Sequence, residues 1–171
     1  MMRTFTLAVS AVIALAGQAG AQDNPLSTEV RQSWTRTWAN VVATAEKMPK
    51  EHYGFKPAPD SQSFRDLLAH TADSAMGTCS GFSGERRQAG AREMTVKADL
   101  IGAIKAAGAE CEKAFGSLTD ATATQMVTGP RGTRSRLGML YGNVIHIEHE
   151  YAQMAVHFRL KGLVPPASER R

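Results

Sequence analysis

Between Asn143 and Pro166 the chain reads NVIHIEHEYAQMAVHFRLKGLVPP, and three of its five histidines fall in this one stretch. On an α-helix, His146, His149, Glu150, Gln153 and His157 share one sector about 100° wide. Glu148 and Arg159 fall on the opposite side, where water is expected. Ile147, Tyr151, Met154 and Phe158 form an apolar flank, with Ile145 and Val156 on the other edge. A row of imidazoles, a carboxylate and an amide bracketed by apolar residues points inward, and buried polar groups need hydrogen bonds or a metal ion. His146 can share an ion with Glu150, four residues on, or with His149, three residues on, because such residues are neighbours on a helix. His157 lies about 16 Å further along the axis and reads as a supporting or core-edge residue. Two ligands from one helix make half a site, so the rest must come from another element.

The N-terminus has the pattern of an export signal. Arg3 precedes the apolar run Phe5–Ala16, and Ala19-Gly20-Ala21 forms a small-residue cleavage pattern before Gln22. The run falls short of the ~20 residues a spanning helix needs, so residues 1–21 are expected to be a secretory signal peptide. The product would be periplasmic or extracellular, with no stable membrane anchor. Residues 22–171 suit a single domain. The net charge of +4 includes Arg3 of the leader and is too small to indicate nucleic acid as a partner.

Four segments carry helical periodicity. The first, Ser27 to about Met48, aligns Val30, Trp34, Trp38, Val41, Val42 and Ala45, and Pro49 ends it. Glu51–Gln62, with Pro57 and Pro59, is a connection in which His52 and Tyr53 are expected to face solvent. The second, Ser63 to Phe82, aligns Phe64, Leu68, Thr71, Ala75 and Phe82. His70 borders that stripe beside Ser74, Gly77 and Gly81, whose small size leaves room for a ligand pocket or for a close helix neighbour. Taken alone, His70 reads as a hydrogen-bonded core histidine before it reads as a metal ligand, and Asp73 is placed to orient it.

Ser83–Glu93 is rich in Gly and Arg. The third helix runs from about Thr95 to Leu118 with Leu100, Ile104, Ala107, Cys111 and Phe115 inward, and Ala121–Ser135 is a Thr- and Gly-rich loop. The fourth helix starts near Ser135 and ends at Gly162, a left-handed cap before Pro165-Pro166. No β-type alternation of any length is present. The fold class is therefore all-α, most simply a four-helix bundle. The arginines of Glu85-Arg86-Arg87 and of the stretch containing Arg131, Arg134 and Arg136 lie in connections. They read as solvated loops, or as a rim attracting an anionic substrate.

Trp38, the connection Tyr53-Gly54-Phe55-Lys56-Pro57-Ala58-Pro59, the run Leu67-Leu68-Ala69-His70-Thr71-Ala72-Asp73, and the closing Gln153, Arg159, Gly162 and Pro165-Pro166 occur in an order and spacing that resembles the DinB/YfiT-like proteins. The resemblance covers nearly all of residues 22–171. It implies a bundle in up-down-down-up order and, in many members, a divalent metal held by one histidine of the second helix and an H-x-x-x-H pair of the fourth. Those positions correspond to His70, His146 and Glu150, the last a departure from histidine. Two imidazoles and a carboxylate still make a sound site for Zn, Ni, Fe or Mn; His149 turning inward, or a hydrogen-bonded core without metal, are the alternatives. In the family's topology the second and third helices run parallel, which would bring Cys79 and Cys111 level. In a simple antiparallel hairpin they would be about 15 Å apart along the axis. An exported chain with two cysteines favours a bridge between them.

Three functions compete. In the first, a metal-dependent hydrolase or thiol-type transferase acts on an unknown small-molecule substrate, with His149 or Asp73 as a general base or supporting group and Arg134 or Arg136 engaging an anion. Characterised relatives in the resembled family include thiol-dependent transferases and isomerases. In the second, an exported bundle binds a metal or small ligand without catalysis, alone or as a homodimer. In the third, the polar row is merely a satisfied core.

Overall fold

The computed structural model describes residues 23–129 and 132–169; the leader expected at residues 1–21 lies outside them. Four long helices make up the body: α1 (Pro25–Lys47), α2 (Phe64–Phe82), α3 (Lys97–Ser117) and α4 (Arg136–Leu160). Each of α1 and α2 packs against both α3 and α4. Side-chain pairs give the directions. Trp34 in the first half of α1 stacks on Phe115 near the end of α3, and Lys97 at the start of α3 donates to the Met48 carbonyl at the end of α1, so these two are antiparallel. Cys79 and Cys111, both in the later parts of α2 and α3, form a disulfide with Cα atoms 4.9 Å apart, so those two are parallel. His157 late in α4 reaches Gln62 just before α2, which makes α2 and α4 antiparallel. The order is up-down-down-up, the arrangement implied by the family resemblance.

The ends of the helices show where local chemistry operates and where it does not. Ser63 caps α2, its hydroxyl accepting from the Asp66 backbone N–H at 3.2 Å, and Ser135 caps α4 through Gly138 N–H at 3.0 Å. Gly162, at φ +72°, closes α4 in the left-handed region as expected. The start of α1 differs from expectation, because the helix begins at Pro25 and Ser27 is not its cap. The carboxylate of Asp120, in the turn after α3, accepts from the N–H groups of Leu26 at 3.1 Å and Ser27 at 2.8 Å and from the Ser27 hydroxyl at 2.8 Å. In return, the Asp120 N–H donates to Asn24 Oδ1 at 2.9 Å. A distant anion thus satisfies the orphan donors of the first turn.

Three further expectations are corrected. The stretch Ala121–Ser135 contains a hairpin, β1 (Met126–Gly129) paired antiparallel with β2 (Gly132–Ser135), in register Val127 with Arg134 and Thr128 with Thr133. Tyr53 is buried rather than solvent-facing. Its hydroxyl donates to the Ala45 carbonyl at 2.6 Å and its ring meets Phe64 edge-on, and burial pushes its phenol pKa up. Ile145 and Val156 are exposed on α4, at 53% and 48%, because the bulkier flank of Ile147, Tyr151, Met154 and Phe158 takes the core side. A short helix, α5 (Pro166–Glu169), follows α4. No helix among the described residues is long and apolar enough to cross a membrane.

Because α2 and α3 are parallel, their connection must travel back along α2. Arg87 N–H donates to Ser80 Oγ at 2.8 Å, Ala91 N–H to Asp73 Oδ1 at 3.0 Å, and the Arg65 guanidinium to the Met94 carbonyl at 2.8 Å. The Arg87 guanidinium also sits 2.6 Å from the buried carboxylate of Glu110 on α3. That hydrogen bond, joined by Lys113 and opposed by burial, holds the Glu110 carboxyl below its ordinary 4.5.

Two measurements test this packing. Trp34 stacks with Trp38, whose indole nitrogen lies where a Cβ on Gly108 would have to go. Gly108→Ala is therefore expected to destabilise the fold by about 1–3 kcal/mol in urea unfolding. Gly102→Ala, on an open face of the same helix, should gain up to about 1 kcal/mol. Equal effects would contradict the packing. For Glu110 the folded pKa lies below the unfolded one, so its stabilisation is complete above the unfolded value and is lost as pH falls through the folded one. The stability gap between wild type and Glu110→Gln should be wide near about pH 6 and close by about pH 3; a gap independent of pH would refute the pairing.

Candidate metal centre

The antiparallel run of α2 and α4 sets His70 opposite His146 and Glu150. The two imidazole rings meet edge-to-face with centroids 5.0 Å apart. His70 Nε2 and His146 Nδ1 each lie 3.8 Å from Glu150 Oε1. One ligand atom from each of the three residues fits within a mutual spacing of 4.8 Å. Both histidine side chains are about a quarter exposed, at 28% and 26%, whereas that of Glu150 is 6% exposed.

The carboxylate is the telling member. At 3.8 Å neither imidazole is within hydrogen-bond distance. Among the described residues its hydrogen bond is a long one, 3.4 Å, from Gln153 Nε2 to Oε2. A carboxylate so deeply buried and so weakly compensated is costly. Two imidazole nitrogens and one carboxylate oxygen converging at slightly more than direct-contact spacing could hold a divalent cation, and the donor set suits Zn, Fe or Mn with positions left over.

One turn before His146 on the same face, Asn143 is buried and turns its amide Nδ2 toward the disulfide, 3.5 Å from Cys79 Sγ and 3.8 Å from Cys111 Sγ. Asn143, His146 and His70 line a cavity of about 390 Å³, with Asp73, Ser74 and Thr78 along α2. Of the small residues beside His70, Ser74 lines this cavity, whereas Gly77 and Gly81 lie against the side chains of Arg86 and Met139.

The other sequence candidates sort as follows. Asp73 lines the cavity, but its carboxylate holds the Ala91 N–H of the connection. His149 is exposed on α4 and is not part of the cavity wall. His157 is buried, with Nδ1 2.9 Å from the Gln153 carbonyl and Nε2 3.2 Å from the Gln62 carbonyl, and it ties the 53–63 connection to α4. Arg134 lines the cavity, whereas Arg136 lies over the Phe82 ring at 4.1 Å. Sequence reasoning missed Asn143 and Arg92. Asn143 was within reach of helical periodicity, being three residues from His146; Arg92 carries no local signal.

The model of the DinB superfamily matches residues 33–154. Among solved structures, the chain is similar to a DinB-like protein from Bacillus cereus ATCC 10987, with 19% identity over 81% of this chain and 95% of that one and a TM-score of 0.68. That likeness concerns the fold. No curated protein matches the sequence. With the family model covering most of the chain, and with its bundle topology in place, this protein belongs to the DinB superfamily.

Proposed function

We propose that the protein is a divalent-metal-dependent enzyme, a hydrolase or a thiol-type transferase, with His70, His146 and Glu150 as the metal ligands. The observation that carries this reading is the convergence of three ligand atoms, one from a buried and under-compensated carboxylate behind two histidines that line an open cavity. The chemistry supplied by an ion held there is Lewis-acid polarisation of a substrate and activation of a water or thiol. The chain's own residues hold and orient. Gln153 fixes the second oxygen of Glu150, and Asn143, wedged against the disulfide, backs the cavity beside His146. Both cysteines are bridged, so neither supplies a thiol, and the nucleophile would arrive from solvent or co-substrate. The disulfide also supports export to an oxidising compartment, the periplasm or the exterior. The same absence of a free thiol favours, as a second reading, an exported bundle that binds a metal or ligand without catalysis.

Metal content by plasma mass spectrometry on protein made in an oxidising compartment separates the possibilities. About one equivalent is expected for a single three-ligand site, with tenfold or greater loss of affinity in His70→Ala, His146→Ala and Glu150→Ala. His149→Ala should keep its metal. Wild type that takes up no Zn, Ni, Fe or Mn after reconstitution would sink the metalloenzyme reading. Retention by Glu150→Ala with loss in His149→Ala would reassign the third ligand.

A further inference from the structure

We infer that the cavity above His70 and His146 is built for a small molecule carrying a carboxylate or phosphate group, whose acid end is clamped by Arg86 and Arg134 while its other end reaches the histidines. This rests on the proposed site and names its substrate class.

Three arginines, Arg86, Arg92 and Arg134, line the cavity against one acid, Asp73. They come from two sides: Arg86 and Arg92 from the α2–α3 connection, Arg134 from β2. Elsewhere Arg31 pairs with Glu112, Arg65 with Asp66 and Arg87 with Glu110, whereas Arg136 packs on the Phe82 ring and Arg159 reaches Ser168 Oγ. Among the described residues Arg86, Arg92 and Arg134 have no ion pair. Asp73 gives one oxygen to the Ala91 N–H. Three guanidinium groups gathered around a concave site with a single carboxylate leave an excess of positive charge that focuses a positive potential there. Their planar forks match carboxylate and phosphate.

Glycines let two of them lie close to the helices that carry the histidines. A Cβ on Gly77 would stand 3.3 Å from Arg86 Nη2, and one on Gly142 would stand 3.3 Å from Arg134 Nη1. Gly77 is two turns beyond His70 on α2, and Gly142 is about one turn before His146 on α4. Because these helices are antiparallel, both displacements point the same way. The clamp therefore sits about 6–10 Å from the histidines along the helix axes, which sets the distance between the ligand's acid and its far end. Asn143 lies between the two. With Nδ2 turned to the disulfide, its Oδ1 is buried with no hydrogen-bond partner among the described residues and is left to accept from a donor on the ligand.

The probe is the monohydroxamate of adipic acid, whose ends fit that span, compared with the same compound bearing a primary amide in place of the acid. Affinities are measured by calorimetry at low salt on zinc-reconstituted and metal-free wild type, the Arg86→Ala/Arg134→Ala double variant, and Glu150→Ala. The acid should bind at least tenfold tighter than the amide in wild type, and raised salt should erode that preference. The ratio should fall to near one in the double variant. In Glu150→Ala both compounds should weaken while the ratio survives, since the clamp does not depend on the carboxylate. Acid and amide bound alike by wild type, no binding of the acid at all, or a preference that outlasts loss of both arginines would each overturn the inference. Failure to take up zinc would overturn the metal reading alone, because the acid-to-amide ratio of the metal-free protein still judges the clamp.

Discussion

Two parallel helices cannot be joined by a tight turn, and much of this molecule follows from α2 and α3 running the same way. The chain leaving Phe82 has to return along about 28 Å of helix before α3 can begin. It does so pressed against α2, meeting Ser80, then Asp73, then Arg65 as it goes. That return path brings Arg86 and Arg92 to the helix that bears His70 and makes one wall of a cavity that a simple hairpin would leave open. The same parallel run places two cysteines level enough to be bonded.

Helical periodicity was enough to place all four helices and to bring His146 and Glu150 onto one face. It could not place the centre of that face. A bundle helix has a buried sector of limited width, and two flanks competed for it on α4. The heavier flank of Ile147, Tyr151, Met154 and Phe158 won. The buried centre therefore shifted toward Asn143, Glu150 and His157, and His149 was left outside with Ile145 and Val156. Family resemblance, rather than spacing, connected His70 with this row, because nothing local distinguishes a ligand from a core histidine.

What stayed illegible was long-range or short. Asp120 caps a helix more than ninety positions away, a pairing that only the finished fold creates. The hairpin has strands of four residues that are exposed or only half-buried, too short and too open for alternation to stand out in the sequence. Tyr53 sits in a proline-rich connection that looks solvated in sequence, yet its ring completes the core and its hydroxyl finds a carbonyl.

The disulfide divides the molecule mechanically. It welds α2 to α3 and encloses the whole return path in a covalent loop, so those parts cannot separate by local opening. The seam between this unit and α4 is left unwelded, and His70 stands on one side of it with His146 and Glu150 on the other. Under the proposed function, an ion taken up there would be a second, reversible weld across that seam. Occupancy would then slow hydrogen exchange in α4 and raise resistance to global unfolding by mass action, even with every side chain of the core unchanged.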